Sequence, residues 1–214
     1  MIKQIYIVLF LLVLSLGCSS KSTEKLSQVS TDKTEKLPDL PEKVSEIDIV
    51  ESKIKWTGKK VTKSHSGTID IKSGVINTKG FHVTSGSVEI DMNSIKNTSI
   101  KKKKSRENLT RHLKNEDFFN VDSFPTSTIT INSSNKINNG RYKYFGDLTI
   151  KGITNPVNFE GSISQSEDKF SSKITMKFDR TRWGIKYGSG RFFEDLGDRM
   201  ILDDIELEIS LITK

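Results

Sequence analysis

The sequence predicts an all-β fold, one mainly antiparallel β domain behind an export segment and a polar tether. Three observations predict it. Short runs of alternating apolar and polar residues recur along the chain, bounded by Gly, Asn and Ser. The last run has one apolar and one charged face, which favours an antiparallel barrel or sandwich over a buried parallel sheet. No helix-length pattern punctuates the runs, so a βαβ architecture is not expected.

The elements follow in order. Lys3 opens the chain, an apolar run Ile5–Leu14 follows, and Ser15, Leu16, Gly17 and Cys18 end it. This is the layout of a signal peptide over residues 1–17, and the apolar run is short for a bilayer span. Cys18 is the sole cysteine, so no internal disulfide is available. Small Gly17 before it and polar Ser19 and Ser20 after it resemble the cleavage box of bacterial lipoproteins, although Ser15 stands where that box carries leucine. The resemblance implies lipid attachment at Cys18, with acyl chains holding the protein to a membrane. Residues 18–45 are rich in Ser, Thr, Lys and Glu and bury too little apolar surface to order themselves. They are expected to act as a flexible tether.

The domain is expected over residues 46–214. Ile47, Ile49, Ile54 and Trp56 open the strand series. Gly67–Ile71 and Gly74–Asn77 read as a hairpin around Lys72–Gly74. Val88, Ile90 and Met92 alternate with Glu89 and Asp91, and Thr128–Ile131 alternates again. Asn138-Asn139-Gly140 is a tight-turn signal, leading into Tyr142–Thr149. Val157, Phe159, Gly161 and Ile163 share a face, as do Phe170, Ile174, Met176 and Phe178, with a slip expected near Ser171–Ser172. Ile205, Leu207, Ile209 and Leu211 close the series against Asp204, Glu206, Glu208 and Ser210. Ser105–Asn115 is the exception, a short helix with Leu109 and Leu113 on one face, set across a barrel opening or on its outside. The run Gly184–Arg199, GIKYGSGRFFEDLGDR, reads as a flexible connection.

The formal net charge is +7. Export argues against nucleic acid as the partner and points instead to anionic lipid headgroups or a solvated surface. The three histidines, His65, His82 and His112, form no HExxH motif and no pair at zinc spacing. Ser66 and Ser189 lack the GxSxG elbow. No cofactor or metal is expected, although His65, His112 and Asp117 brought together in space offer an enzyme-like alternative.

Three segments resemble the YceI-like family. His112, Leu113, Asp117, Phe118, Phe119 and Pro125 match its His-Leu-x-x-x-Asp-Phe-Phe stretch and the following proline. Gly146-Asp147-Leu148-Thr149-Ile150-Lys151-Gly152-Ile153-Thr154-Asn155-Pro156-Val157 is similar to its Gly-x-Leu-Thr stretch. Phe178–Ile185 resembles its Arg-containing segment ending in aromatic-Gly-hydrophobic. Trp56 and His65-Ser66-Gly67 are similar to a variant of Bacteroidetes-type members.

The resemblance implies an extended, eight-stranded, lipocalin-like antiparallel barrel. It also implies binding, storage or transport of an apolar long-chain (isoprenoid-like) lipid, with a polyisoprenoid as the candidate partner, in the bacterial cell envelope. The candidate ligand-binding residues are Phe118, Phe119, Arg180, Arg182, Trp183 and His65. In an extended segment Phe118 and Phe119 face opposite ways, one inward and one against the helix. Lys59, Lys60, Lys63 and His65, or Arg180 and Arg182, are candidates to meet a phosphate at a lipid head. The alternative for the arginines is a structural pairing with Asp179 or Asp195. A packed structural or adhesion domain without ligand is the remaining alternative. No acidic cluster follows Cys18, unlike the surface-export signal of Bacteroidetes-type lipoproteins, which favours a periplasm-facing anchor.

Overall fold

Strand formation follows the alternation of apolar and polar side chains, because a strand sends successive side chains to opposite faces. In the computed structural model, which describes residues 40–138 and 140–214, nine strands and one helix form in the order β1 (Glu42–Glu46), β2 (Lys53–Lys60), β3 (Ser64–Lys79), β4 (His82–Asn97), α1 (Lys103–Lys114), β5 (Thr126–Asn138), β6 (Arg141–Ile150), β7 (Ile153–Ser166), β8 (Lys169–Asp179) and β9 (Ile201–Ile212). All pairings are antiparallel. The expected signal peptide, the lipid attachment at Cys18 and the tether up to residue 39 lie outside the described residues.

The sheet closes on itself. Its order runs β3-β2-β9-β8-β7-β6-β5-β4, and β4 pairs back to β3. This is the eight-stranded barrel. The ninth strand adds no position to it, because β1 and β2 share one edge of β3 in tandem. Val75–Lys79 pairs with β1 and Ser64–Ile69 with β2. Between them the chain turns against the end of β9, where Ile47 bridges Thr213 and the Asp48 N–H donates to the Ile212 carbonyl at 2.8 Å.

Four local expectations change. The hairpin around Lys72–Gly74 is one continuous strand, β3, with its register shifted between Ile71 and Ser73. A bulge adds a residue and bends the strand without reversing it, and the reversal comes at Gly80 and Phe81 instead. At about 3.3 Å per residue, β3 and β4 would each reach roughly 50 Å if straight. Bulges curve them around the barrel. The tether gives up Glu42–Ser45 to β1. The slip near Ser171–Ser172 is absent: the β7–β8 and β8–β9 registers are continuous. Ser172 is simply a small residue sharing the parity of Phe170 and Ile174. Helix α1 starts at Lys103 and has no side-chain N-cap, so half of the lysine run expected to precede it forms its first turn.

The remaining elements follow the alternation. The β5–β6 turn carries Gly140 at φ +73°. On β9 the polar face forms a ladder of ion pairs: Lys55–Glu208 at 3.3 Å, Lys59–Glu206 at 2.6 Å and Lys177–Asp204 at 2.6 Å. Its apolar residues Ile205, Leu207, Ile209 and Leu211 turn inward, yet they are only partly buried. Ile205 and Leu207 open onto a space inside the barrel rather than a filled core.

Candidate functional site

That space is an apolar cavity of about 150 Å³ inside one end of the barrel. Every barrel strand except β7 supplies side chains to it, among them Ile54, Ile69, Ile90, Leu148, Phe178 and Leu207. Helix α1 crosses this end. Leu109 and Leu113, the pair expected on one face, both line the cavity. A second apolar space of about 30 Å³ lies among Ile47, Ile76, Val83, Tyr144, Ile174 and Leu211. The inward residues Ile71, Val88, Ile129, Phe159, Met176 and Ile209 line neither space and form a partition. Tyr144 stacks on Phe159 at 5.3 Å, and burial pushes its hydroxyl pKa up to about 12.

Phe118 and Phe119 both face the cavity. The expected alternation fails because they sit in a turn, not in extended backbone. The Phe119 N–H donates to the Leu113 carbonyl at 3.2 Å, which folds the segment back on the helix. Phe118 meets His112 edge-on at 4.9 Å and tilts against Tyr187 at 5.4 Å. His112 in turn contacts Tyr187 at 4.7 Å, and its Nε2 lies 2.9 Å from Asp117 Oδ2. One aromatic cluster thus joins the helix, the turn and the Gly184–Arg199 connection over the barrel end.

Arg180 is 2% exposed, and all five of its N–H donors are used. Nε reaches the Leu202 carbonyl, one terminal nitrogen the Ile185 and Tyr187 carbonyls at 2.9 Å each, and the other the Ile201 carbonyl and Asp203 Oδ1 at 3.2 Å each. Burial pushes its pKa down, and the charges of Asp203 and Asp179 oppose this. Arg180 lines the cavity, as expected of a site candidate, but its five hydrogen bonds tie the guanidinium to the connection and leave no donor free for a phosphate. The expected partner Asp179 or Asp195 is replaced by Asp203. The connection is accordingly not a loose loop: Ser189 within it is fully buried.

Arg182 and Trp183 stand outside the cavity lining. Arg182 is exposed, and it donates to the Pro156 carbonyl at 3.2 Å. Trp183 is fully buried, its indole donating to the Leu148 carbonyl at 2.9 Å and its ring edge-on to Phe178. The two belong to the barrel wall and not to the ligand space.

His65 does line the cavity, at the rim, with Lys59 and Lys60. Its Nδ1 lies 3.5 Å from Ser99 Oγ. Partial burial, then the charges of Lys60 and Lys63, hold its pKa below the ordinary histidine value. Lys59 is paired with Glu206, whereas among the described residues no carboxylate lies within ion-pair distance of Lys60 or Lys63. His65 is not brought to His112 and Asp117 as a metal set: among the described residues no group of three or more His, Cys, Asp or Glu is placed to hold a metal ion.

Most of the lining was not singled out from the sequence as site residues, and two of those residues carry a side-chain nitrogen or oxygen, Trp56 and Ser127. Trp56 packs on Gly67, where any Cβ would fall 1.9 Å from the Lys96 carbonyl oxygen and 2.6 Å from the indole ring. The Trp–Gly pairing was visible in the sequence as two motif residues, but only the β2–β3 register, which sets Trp56 opposite Gly67, joins them.

Comparison with known proteins agrees with this architecture. Two curated relatives are Protein YceI of Shigella flexneri, 36% identical over 64 residues (29% of this chain, 33% of the relative), and a UPF0312 protein of Staphylococcus aureus (strain USA300), 31% identical over 116 residues (51% and 61%). The chain thus spans about a third to three fifths of the length of these relatives. Among solved structures, a polyisoprenoid binding domain from Saccharophagus degradans superposes with a TM-score of 0.61 at 14% identity, covering 80% of this chain and 99% of that one. Burkholderia cenocepacia BcnA gives 0.59 at 15% identity, covering 78% and 99%. Campylobacter jejuni YCEI protein gives 0.51 at 21% identity, covering 73% and 84%. These likenesses establish the shared barrel fold. The family model for the YceI-like domain matches residues 46–212, and the chain belongs to the YceI-like family.

Proposed function

We propose that this protein binds an apolar long-chain lipid, isoprenoid-like in character, inside the barrel and carries or stores it in the bacterial cell envelope. The observation that supports the reading is the cavity itself. Its wall is aliphatic and aromatic from Ile54 to Leu207, Lys59, Lys60 and His65 stand together where β2 meets β3, and the fourth basic residue, Arg180, is buried. An apolar chain that leaves water for such a wall gains roughly 0.8 kcal/mol per methylene. The polar end of the ligand then faces Lys60 and His65 at the rim, where water and the cations receive it.

The cavity of about 150 Å³ matches a small apolar guest more than a whole long chain. A longer chain enters by displacing the partition toward the second space. Met176 is the residue there suited to move, since its unbranched thioether adapts to irregular gaps. Acylation at Cys18 anchors the protein in this reading, with the domain facing the periplasm.

Mass spectrometry of an organic-solvent extract, from protein purified from its native host without detergent, tests the binding claim. One stoichiometric long-chain species is the expected result. A folded, monodisperse sample that yields none counts against it. Membrane fractionation at high salt tests the anchor separately: Cys18→Ala is expected to free the protein, and continued sedimentation with membranes refutes the acylation.

A further inference from the structure

The two ends of the barrel differ in charge. At the end crossed by helix α1, residues 61–63, 98–125, 151–152 and 180–200 join the strands. They hold fourteen Lys and Arg against seven Asp and Glu. The turns toward the far end, residues 47–52, 80–81 and 167–168, hold Asp48, Glu51, Glu167 and Asp168 and no Lys or Arg.

The basic segments converge. Lys60, at the end of β2, is paired with Ile201, whose N–H donates to the Gly188 carbonyl at 2.8 Å. This sets the β2–β3 turn beside the Gly184–Arg199 connection. The N–H groups of Thr98 and Ser99 both donate to the Ser66 carbonyl, at 2.9 and 3.2 Å, which brings the Lys101–Lys104 run next to the same hairpin. All four of those lysines are exposed. Among the described residues, only Lys103 of the four has a carboxylate within ion-pair distance, Glu107 at 3.9 Å.

The same end shows large apolar side chains to water on hydrogen-bonded backbone. Phe192 and Phe193 are 47% and 48% exposed. Their N–H groups nevertheless both donate, at 3.1 Å, to the carbonyl of the fully buried Ser189. Arg191 beside them is tied to Asp179 at 2.7 Å. Val61 in the β2–β3 turn is exposed as well. A fixed turn that holds two adjacent phenyl rings in water is the mark of a partner surface. Lys186 lies over the Phe192 ring at 4.7 Å. In that arrangement a lysine keeps its charge in a polar layer while the ring enters an apolar one.

We propose that this end of the barrel docks on an anionic phospholipid bilayer. Phe192, Phe193 and Val61 enter the interface, and the lysines around them meet the headgroup phosphates. Charge selects this occupant over a second copy of the chain, because two such basic ends repel each other while an anionic leaflet attracts them. Charge also selects this end over the far one, which exposes Phe81 but carries carboxylates in its turns. The cavity then faces the bilayer, and a guest passes between the two without crossing bulk water. That consequence rests on the lipid-binding reading above, whereas the docking itself does not.

Vesicle flotation of the full chain carrying Cys18→Ala, which removes the acylation site, tests the docking. The vesicles are equal phosphatidylglycerol and phosphatidylcholine, or phosphatidylcholine alone. Binding to the mixed vesicles is expected, weaker at high salt and on phosphatidylcholine alone. Phe192→Ser with Phe193→Ser is expected to weaken it about tenfold or more, Lys101→Gln with Lys102→Gln about tenfold, and Phe81→Ser less than about twofold. Circular dichroism reports that each variant is folded. In vesicles with brominated acyl chains the added fluorescence of Phe192→Trp is expected to be quenched, and that of Phe81→Trp to persist. Three results overturn the docking: equal binding by the Phe192→Ser, Phe193→Ser variant and its parent, no quenching in Phe192→Trp, or a dimer in light scattering that this double variant dissociates. Lipid recovered from a protein that fails these tests leaves the cavity reading in place. Docking by a protein that yields no lipid removes the cavity reading alone.

Discussion

Replacing Arg180 by methionine removes a buried guanidinium and keeps most of its apolar volume. Four backbone carbonyls, of Ile185, Tyr187, Ile201 and Leu202, lose a donor, and Asp203 loses a charged partner. Breaking a buried ion pair from one side costs about 3–5 kcal/mol. Asp203 keeps a second cation, since Arg191 Nε lies 3.4 Å from its other oxygen. The lower end, about 3 kcal/mol, is therefore expected. For a domain of this size that lowers Tm by about 6–12 °C. Arg182→Ala removes an exposed side chain with one carbonyl contact and a cation–π contact to the Trp183 ring at 5.3 Å, and its cost is expected to stay within about 1 kcal/mol. Urea unfolding and thermal melts of both variants read the difference. Should Arg180→Met melt within about 2 °C of wild type and instead lose bound lipid, the structural assignment of Arg180 is wrong and the head-group role returns.

The other expected outcomes concern the cavity and its rim. Gly67→Ala is expected to destabilise by about 3 kcal/mol or more, because the new methyl meets the Lys96 carbonyl and the Trp56 ring; urea unfolding at near-wild-type midpoint would contradict this. Leu207→Trp, which fills the cavity from β9 opposite Trp56, is expected to abolish recovery of bound lipid while circular dichroism still reports the β fold, and undiminished lipid content would move the ligand elsewhere. His65 is expected to titrate below the ordinary value of 6.5. Its folded pKa is depressed, so the stability it contributes is complete above 6.5 and is lost as the pH falls through the folded value. Proton NMR of His65 checks this, and Lys60→Ala with Lys63→Ala is expected to raise the midpoint; an unmoved midpoint removes the two lysines as a cause.

What can be read from the chain alone is what local chemistry controls. Period-two alternation assigns Ile205, Leu207, Ile209 and Leu211 to one face of β9 whatever lies opposite, because successive strand residues point to opposite sides. Asn138-Asn139-Gly140 marks a turn because glycine reaches positive φ without strain. Leu109 and Leu113 share a helix face by their spacing, and the ordered motifs identify the family. The tertiary structure decided the rest, because alternation names a face but not what that face meets. Arg180 and Arg182 are alike in sequence, yet a turn of 3-10 helix at Arg180–Trp183 buries one and exposes the other. Phe118 and Phe119 face the same cavity because the backbone turns there. Whether inward residues meet one another or a space depends on barrel closure, and the strand pairing that spans the greatest sequence distance is β2 with β9, which sets Lys53 opposite Ser210. Closure is also what brings Trp56 and Ser127, distant in the chain, to the wall of one cavity.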